Sequence, residues 1–342
     1  MTDGRYAMLV APSEFSLDRR PAEAPARGET RLRVRDCGVC GSDLKMWAGT
    51  HAFLRPPLLL GHEIYGRVEA VGQDAEIFDV GADVVVFPPV GCGTCFHCLR
   101  DQPQLCADMR FHGGQLPGGL AEHLVVSEQN LLPVPEGIPD LQRVLIEPLA
   151  VGVHAVTRAQ GEAGETAVVL GSGAIGLFTA LVAQARGLDV LVIEPSAPRR
   201  ARAALLGLPA VDIGSSSVEQ IVAELVRPEG ADVVFECVGS AETISSALAS
   251  TRKGGRAVVV GNAPPTLEID GLALQRGDRS LVGILMYERG DFIEAMDLLA
   301  GGLLTALPDS SLVQRFSLDD VGNAFAISKD GTLSALRAVV QP

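Results

Sequence analysis

Four cysteines stand close together in one short stretch of this 342-residue chain. Spacers of two, two and seven residues separate them in the run GCGTCFHCLRDQPQLC, which contains Cys92, Cys95, Cys98 and Cys106. Two-residue spacers let successive thiolates face one centre, and the longer loop can bring the fourth back to it. Four thiolates form a closed tetrahedral site for a structural zinc ion, with no position left for a substrate. An iron–sulfur cluster is the alternative, although ferredoxin-type runs end with a three-residue spacer and a proline.

A second group of potential ligands lies outside this run. Cys40 and Ser42 precede His62 and Glu63, and 22 positions separate the cysteine from the histidine. A thiolate, an imidazole and a carboxylate can hold zinc and leave one coordination position open. Zinc in such a site lowers the pKa of an alcohol, whose hydride can then pass to a nicotinamide cofactor. Ser42, two residues after the cysteine, is placed to take the alcohol proton.

A glycine-rich turn, GSGAIG at residues 171–176, follows a predicted buried strand at Thr166–Leu170 and opens a predicted helix. Glycines at these spacings allow a tight turn, close approach of a pyrophosphate, and packing of the helix on the strand. The helix N-terminus adds a partial positive charge that favours the diphosphate. We therefore predict a dinucleotide site that uses Gly171, Gly173, Ile175 and Gly176.

The choice of cofactor depends on the end of the next predicted strand, Asp189–Ile193. Glu194 follows it, 23 residues after Gly171, where a carboxylate can bond the ribose hydroxyls and repel a 2′-phosphate. This favours NAD. Arg199 and Arg200 come shortly afterwards and could hold that phosphate, so NADP stays an alternative. Two later strands are predicted at Ala231–Glu236 and Arg256–Val260. The backbones at their ends, at Val238, Val260 and Gly261, should face the cofactor.

Two kinds of pattern divide the chain. The first 150 residues contain short β-branched runs separated by turn signals, as in an all-β domain. After Pro148, apolar strands alternate with helices, which indicates a parallel sheet. From about Leu281 the pattern is irregular again, and the final LRAVVQP resembles a strand that returns to the first domain. We predict a catalytic domain at 1–150 with a zinc lobe at about 88–110, a nucleotide-binding domain at 151–283, and a return to the catalytic domain at 284–342.

Composition excludes several classes of partner. The formal net charge is −14, from 42 acidic and 28 basic residues, so nucleic acids and anionic lipids should be repelled. No apolar run approaches the length of a membrane span, and the start, MTDGRYAMLVAPSEF, does not read as a secretory signal. We expect a cytoplasmic protein. Its seven cysteines should then be ligands or buried thiols rather than disulfides.

Together these motifs carry a family resemblance. CGVCGSD, GHEIYGRVEAVG, GADVVV, the four-cysteine run and GSGAIG resemble the zinc-containing medium-chain dehydrogenase/reductases, the alcohol dehydrogenase family, from about Arg31 to the C-terminus. The resemblance implies an α/β fold with a doubly wound Rossmann domain and a β-rich GroES-like catalytic domain. It implies two zinc ions per chain, NAD, and a homodimer or homotetramer. It also implies that Cys40 and His62 bind catalytic zinc, that Glu63 lies in or beside the ligand shell, and that Ser42 opens the proton relay.

Within the family, EPLAVGVH at residues 147–154 and LCADMRF, which closes the four-cysteine run, are most similar to sorbitol, L-idonate, butanediol and threonine dehydrogenases. The resemblance implies that Glu147 is a zinc ligand or bonds the water or substrate beside the metal. Lys45 departs from the pattern, because relatives often carry a proton-transferring histidine at this place. The relay beyond Ser42 therefore stays open. Cys37 is expected to be a buried thiol.

The main prediction is an enzyme that oxidises a secondary alcohol of a polyol or diol. An alternative substrate class is an amino alcohol or aminocyclitol intermediate. A different class of function, a non-catalytic NAD(H) sensor, would use zinc for structure alone. Zinc content separates them: two ions per chain for the enzyme and one for the sensor.

Overall fold

A computed structural model describes residues 3–342. The first half of the chain contains β1 (Asp3–Ala11), β2 (Glu14–Pro21), β3 (Glu29–Gly38), α1 (Gly41–Trp47), β4 (Glu63–Val71), β5 (Asp83–Val86), β6 (Pro89–Val90), β7 (Arg110–Phe111), β8 (His123–Ser127), β9 (Leu131–Pro133), α2 (Asp140–Arg143) and α3 (Ile146–Ala159). The nucleotide-binding segment contains β10 (Thr166–Leu170), α4 (Ala174–Ala185), β11 (Asp189–Ile193), α5 (Ala197–Leu205), β12 (Ala210–Val211), α6 (Val218–Leu225), β13 (Ala231–Glu236), α7 (Ala241–Ala249), β14 (Thr251–Val259), α8 (Gly271–Arg276) and β15 (Ser280–Gly283). The last part contains α9 (Arg289–Ala300), α10 (Asp309–Leu312), β16 (Val313–Ser317), α11 (Val321–Asp330) and β17 (Arg337–Gln341).

The described residues divide into two compact units. The first extends to Glu147 and includes Met296–Gly301 and Pro308–Pro342, whereas the second comprises Pro148–Ala295 and Gly302–Leu307. This division leaves residues 284–295 in the second unit. The domain limits inferred from the sequence, at 150 and 283, stay a prediction.

The catalytic unit is built on a sheet whose strands run in the order β16-β17-β3-β4-β5-β9. Strand β3 pairs with β4 on one side, and with β8 and then β17 on the other. Pairing sets Gly38 opposite Glu63, and Val339 opposite Gly38. The end of β3, the start of β4 and the start of β17 therefore meet at one edge of the sheet.

The second unit contains a six-stranded parallel sheet in the order β12-β11-β10-β13-β14-β15. Counted along the chain, this is the order 3-2-1-4-5-6 of a doubly wound dinucleotide-binding fold, so the predicted Rossmann domain is confirmed. Its core joins strand residues such as Val168 and Val234 to helix residues such as Val222 and Leu248. All strands present their carboxyl ends to the same edge, where ligands of such sheets bind.

The predicted strands β10, β11 and β13 have the observed bounds. Strand β14 begins at Thr251, five residues before the predicted Arg256, because the polar segment TRKGG still pairs with β13 through Ala231. The β1–β2 hairpin was missed, since its charged, half-exposed residues lack a clear apolar alternation. Across residues 3–342, no helix has the length and apolar character needed to cross a membrane.

Candidate zinc centres and a candidate dinucleotide site

The four cysteines lie between β6 and β7. Their sulfur atoms are all within 4.8 Å of one another, and the Sγ atoms of Cys92 and Cys98 are 4.0 Å apart. None of the four forms a disulfide. Backbone N–H groups donate to the sulfurs, from Cys92 to Cys106 at 3.4 Å and from Cys98 to Cys95 at 3.5 Å. Hydrogen bonds at Thr94 lower the pKa of Cys92 to about 6, which favours the thiolate. This donor set fits a closed structural zinc site.

A second cluster forms at the sheet edge where β3, β4 and β17 meet. Cys40 precedes α1, His62 precedes β4 and Glu63 begins it. One ligand atom from each lies within 4.8 Å of the other two. His62 and Glu63 are buried, with 6% and 0% of their surface exposed. Oε1 of Glu63 and Nδ1 of His62 each face a charged neighbour, whereas Oε2 of Glu63 has no partner among residues 3–342. A buried carboxylate oxygen without a partner indicates a place for an ion or ligand, and the thiolate, imidazole and carboxylate set fits zinc.

Burial and neighbouring charges shift the pKa of all three groups in this cluster. Burial raises the pKa of the Cys40 thiol, but a hydrogen bond with His62 and the charges of His62 and Arg337 lower it to about 7. For His62, burial lowers the pKa, but the Asp43 carboxylate and the Cys40 thiol together outweigh that effect and raise the pKa well above the usual range. Burial raises the pKa of Glu63 against the opposing charge of Arg337.

Two charged neighbours of the cluster, Asp43 and Arg337, are not predicted from the sequence. Asp43 is fully buried; its Oδ2 accepts the backbone N–H of Cys40 at 3.0 Å, and its Oδ1 lies 3.3 Å from Nδ1 of His62. Arg337, from β17, places its Nη2 2.6 Å from Oε1 of Glu63. The motif CGSD contains the aspartate and could have indicated it. Nothing in the sequence links residue 337 to residue 63, since only the pairing of β17 with β3 joins them.

Glu147 lies in the first turn of α3 and is buried. It does not belong to the three-residue cluster, although its charge raises the pKa of Glu63. Its role at the metal stays a prediction. Ser42 is half-buried in the first turn of α1, and Cys37 is buried, as predicted. Farther along α3, Nδ1 of His154 lies 2.8 Å from Oδ2 of Asp291.

The glycine-rich turn connects β10 to α4, as predicted. Gly171 has φ +86°, which favours glycine, and a Cβ on Gly176 would lie 2.0 Å from the carbonyl oxygen of Gly171. A Cβ on Gly173, the residue that caps α4, would meet no atom within 4 Å. Gly176 thus packs helix on strand, whereas Gly173 borders open space at a helix N-terminus. This space fits a pyrophosphate.

Glu194 follows β11, and its buried carboxylate accepts the backbone N–H of Ser172 at 2.7 Å and that of Ser196 at 2.9 Å. These bonds hold the acid against the glycine-rich turn, and an ionised carboxylate retains further lone pairs for ribose hydroxyls. Nη1 of Arg199 lies 3.8 Å from Oε2 of Glu194. Arg200 instead donates to the carbonyls of Glu194 and Pro195.

The ends of the two later strands lie at the same edge of the sheet. Oε1 of Glu236, which sequence reasoning missed, accepts the backbone N–H groups of Val238 at 2.8 Å and Gly239 at 2.7 Å. Val260 and Gly261 follow β14, and a Cβ on Gly261 would lie 2.3 Å from the nitrogen of Gly239. The two turns are therefore closely packed, with the side chain of Val238 exposed.

Comparisons with known proteins bear on both sites. Residues 26–136 match the family described as alcohol dehydrogenase GroES-like domain, and residues 174–301 match the family described as zinc-binding dehydrogenase. A 2-dehydro-3-deoxy-L-galactonate 5-dehydrogenase from Pseudoalteromonas atlantica is 36% identical over 98% of each chain. An (R,R)-butanediol dehydrogenase from Neisseria gonorrhoeae is 31% identical over 99% of each chain. A solved structure described as a zinc-binding dehydrogenase from Sinorhizobium meliloti, bound to NADP, is 27% identical, with a TM-score of 0.89 and full coverage of both chains.

Proposed function

Because the chain belongs to the zinc-type medium-chain alcohol dehydrogenases, we propose that Cys40, His62 and Glu63 carry its zinc-dependent oxidation of a secondary alcohol to a ketone. The observation that carries the proposal is the convergence of these three donors, of which His62 and Glu63 are buried and Oε2 of Glu63 has no partner among residues 3–342. Zinc, when bound, supplies a Lewis acid that lowers the pKa of an alcohol. NAD supplies the hydride acceptor.

The chain's own residues position and charge this site. Asp43 lies beside Nδ1 of His62, so it orients the ring and leaves the other nitrogen to face the thiol. Arg337 stabilises the carboxylate of Glu63 in its buried setting. Ser42, on the first turn of α1, takes the alcohol proton. Glu147 adds a negative charge nearby and serves as a further ligand or holds a water molecule.

We propose NAD rather than NADP as the cofactor. Glu194 presents a buried negative charge beside the glycine-rich turn, and that charge disfavours a 2′-phosphate. Arg199 is the residue that would favour NADP, and its guanidinium lies on the same carboxylate. The Sinorhizobium meliloti structure is bound to NADP, and steady-state kinetics with both cofactors tests the choice.

The proposal also covers the substrate class, the location and the assembly of the enzyme. The substrate is a polyol, diol or sugar acid rather than an amino alcohol, as the names of the relatives suggest. A cytoplasmic location fits the seven cysteines, which form no disulfide within residues 3–342. A homodimer or homotetramer is the expected assembly, and light scattering of the purified protein would measure it.

Zinc content and turnover, measured together, test the proposal. Wild-type protein should bind two zinc ions per chain and reduce NAD with members of a panel of polyols, diols, sugar acids and amino alcohols. Cys40→Ser should lose one ion and lower turnover at least about 100-fold, because a Lewis acid contributes several kcal/mol. Cys37→Ala, which removes a neighbouring buried thiol, is the matched control and should keep both ions. Unchanged turnover in a Cys40→Ser protein that lacks this zinc would refute the proposal.

A further inference from the structure

We propose that Lys45, His51 and Arg55 form a subsite for the carboxylate of a sugar-acid substrate, so that the enzyme prefers aldonates to uncharged polyols. This inference rests on the proposed function and adds the substrate class. The three residues lie in one short stretch of the catalytic unit, the last turn of α1 and the loop after it. Positive charge at this place contrasts with the net charge of −14 of the whole chain.

Backbone hydrogen bonds fold this stretch into a compact turn. The N–H groups of Thr50 and His51 both donate to the carbonyl of Lys45, at 2.9 and 3.0 Å. The guanidinium of Arg55 donates to the carbonyls of His51 and Leu54, the latter at 2.9 Å. Three basic residues therefore belong to one turn, and the charges of Arg55 and Lys45 both act on His51. Lys45 and Arg55 are exposed, and His51 is half-buried between them in sequence.

The structure holds His51 as a neutral hydrogen-bond donor. Its Nδ1 accepts the backbone N–H groups of Phe53 at 3.3 Å and Leu54 at 3.2 Å. With Nδ1 an acceptor, the ring proton is on Nε2, which can donate to a ligand. Burial, followed by the charges of Arg55 and Lys45, lowers the pKa of His51, so this tautomer persists at neutral pH. The opposing negative charge comes from Asp43, which is buried.

The position of Lys45 on α1 links this turn to the reacting alcohol. Lys45 follows Ser42 by three residues, and residues three apart lie on the same face of a helix. If Ser42 contacts the alcohol that is oxidised, the Lys45 ammonium is one helical turn from it. A second polar group on the same substrate can then reach the basic turn.

A carboxylate suits these donors better than a hydroxymethyl group does. Ammonium and guanidinium groups form charge-assisted hydrogen bonds to carboxylates, and Nε2–H adds a neutral donor. The 36% identical relative is named for a sugar acid, which agrees with this assignment. A phosphate shares the chemistry, so sugar phosphates are a separate arm of the test.

Matched substrates give the clearest measurement. Six-carbon aldonates, the alditols that differ only in the terminal group, and hexitol phosphates would be compared by kcat/KM with zinc-loaded protein and NAD. Wild type should favour aldonates. Lys45→Met should lower kcat/KM for aldonates by about 10- to 100-fold, mainly through KM, as expected for one charge-assisted hydrogen bond. Alditols should change little, and Lys45→Arg should restore most of the aldonate preference. Lys253→Met, which removes the same charge from an exposed residue of β14, is the control and should keep the wild-type ratio.

Several results would overturn the subsite. Equal use of aldonates and alditols by wild type, preference for hexitol phosphates, or an unchanged ratio in Lys45→Met would each do so. An equal loss of kcat on both substrate classes would assign Lys45 to proton transfer instead and would also overturn it. Failure of zinc-loaded wild type to oxidise any alcohol with NAD would contradict the proposed function itself. That result differs from every result that would overturn the subsite alone.

Discussion

A methyl group added to either of two glycines in the same turn should have different effects on the protein. Gly173 borders open space, with φ −63°, a value that alanine adopts without strain. Gly176 packs against the backbone of Gly171, where an added Cβ would lie 2.0 Å from the carbonyl oxygen. The Gly173→Ala change should therefore impair binding of the cofactor, and Gly176→Ala should impair folding.

The geometry sets the size of each effect. At Gly176, overpacking costs up to about 3 kcal/mol, and the higher helix propensity of alanine returns about 1 kcal/mol. A net loss of about 2 kcal/mol in the free energy of unfolding lowers Tm by about 4 to 8 °C. At Gly173, loss of a glycine cap costs about 1 kcal/mol or less, so Tm should fall by less than about 4 °C. The KM for NAD should rise at least about tenfold there, equivalent to roughly 1.4 kcal/mol.

Thermal unfolding and steady-state kinetics on the two variants measure these effects. KM for the alcohol at saturating NAD is the internal control, and it should stay near the wild-type value in Gly173→Ala. The reasoning fails if Gly173→Ala binds NAD normally, because the open space would then not receive the pyrophosphate. It fails equally if Gly176→Ala keeps the wild-type Tm.

Four further predictions concern the two zinc sites, the cofactor and acid stability. Cys98→Ala should lower zinc content by one ion and reduce Tm, because metal binding and folding are coupled in a four-thiolate site; full zinc content by atomic absorption would contradict this. Asp43→Asn should weaken zinc binding by about 10- to 100-fold, since His62 loses its orienting carboxylate; competition with a chelator measures the affinity, and an unchanged value would show that the contact is incidental. Wild type should prefer NAD to NADP by at least about 100-fold in kcat/KM, roughly 2.7 kcal/mol, and Glu194→Ala should shrink that ratio; a wild type that prefers NADP would show that the arginines outweigh the acid. Burial opposes ionisation of Asp232, but hydrogen bonds from Thr166 and arginine partners hold its pKa well below the usual range. Its stabilising contribution is therefore present above about pH 4 and is lost as the pH falls below that value. Asp232→Ala should destabilise the protein by about 2 to 3 kcal/mol at neutral pH and much less in acid, and an equal loss at both pH values in urea unfolding would contradict this.

The chemistry of the sites could be predicted from the sequence because their spacing is local. The four cysteines lie within fifteen residues, and the glycine-rich turn directly joins a strand to a helix. Short spacers leave the backbone few possible conformations. The grouping of the four cysteines and the start of α4 after the glycine-rich turn therefore follow from residue order. The ends of the apolar runs match the ends of β10, β11 and β13, since strands buried on both faces are continuously hydrophobic.

Tertiary structure decided which distant residues complete each site. Strand pairing brings Arg337 to Glu63 across 274 positions of sequence, and only the sheet places Asp43 beside His62 rather than in solvent. The sequence predicts that Glu194 bonds the ribose hydroxyls. In the structure its carboxylate also accepts the backbone N–H of Ser172 in the glycine-rich turn. Such contacts join segments that are far apart in the chain, and their energies depend on burial and register, which no local pattern specifies. The proposed zinc ligands and the glycine-rich turn thus follow from residue order, whereas the charged neighbours that shift the pKa of these ligands are set by the fold.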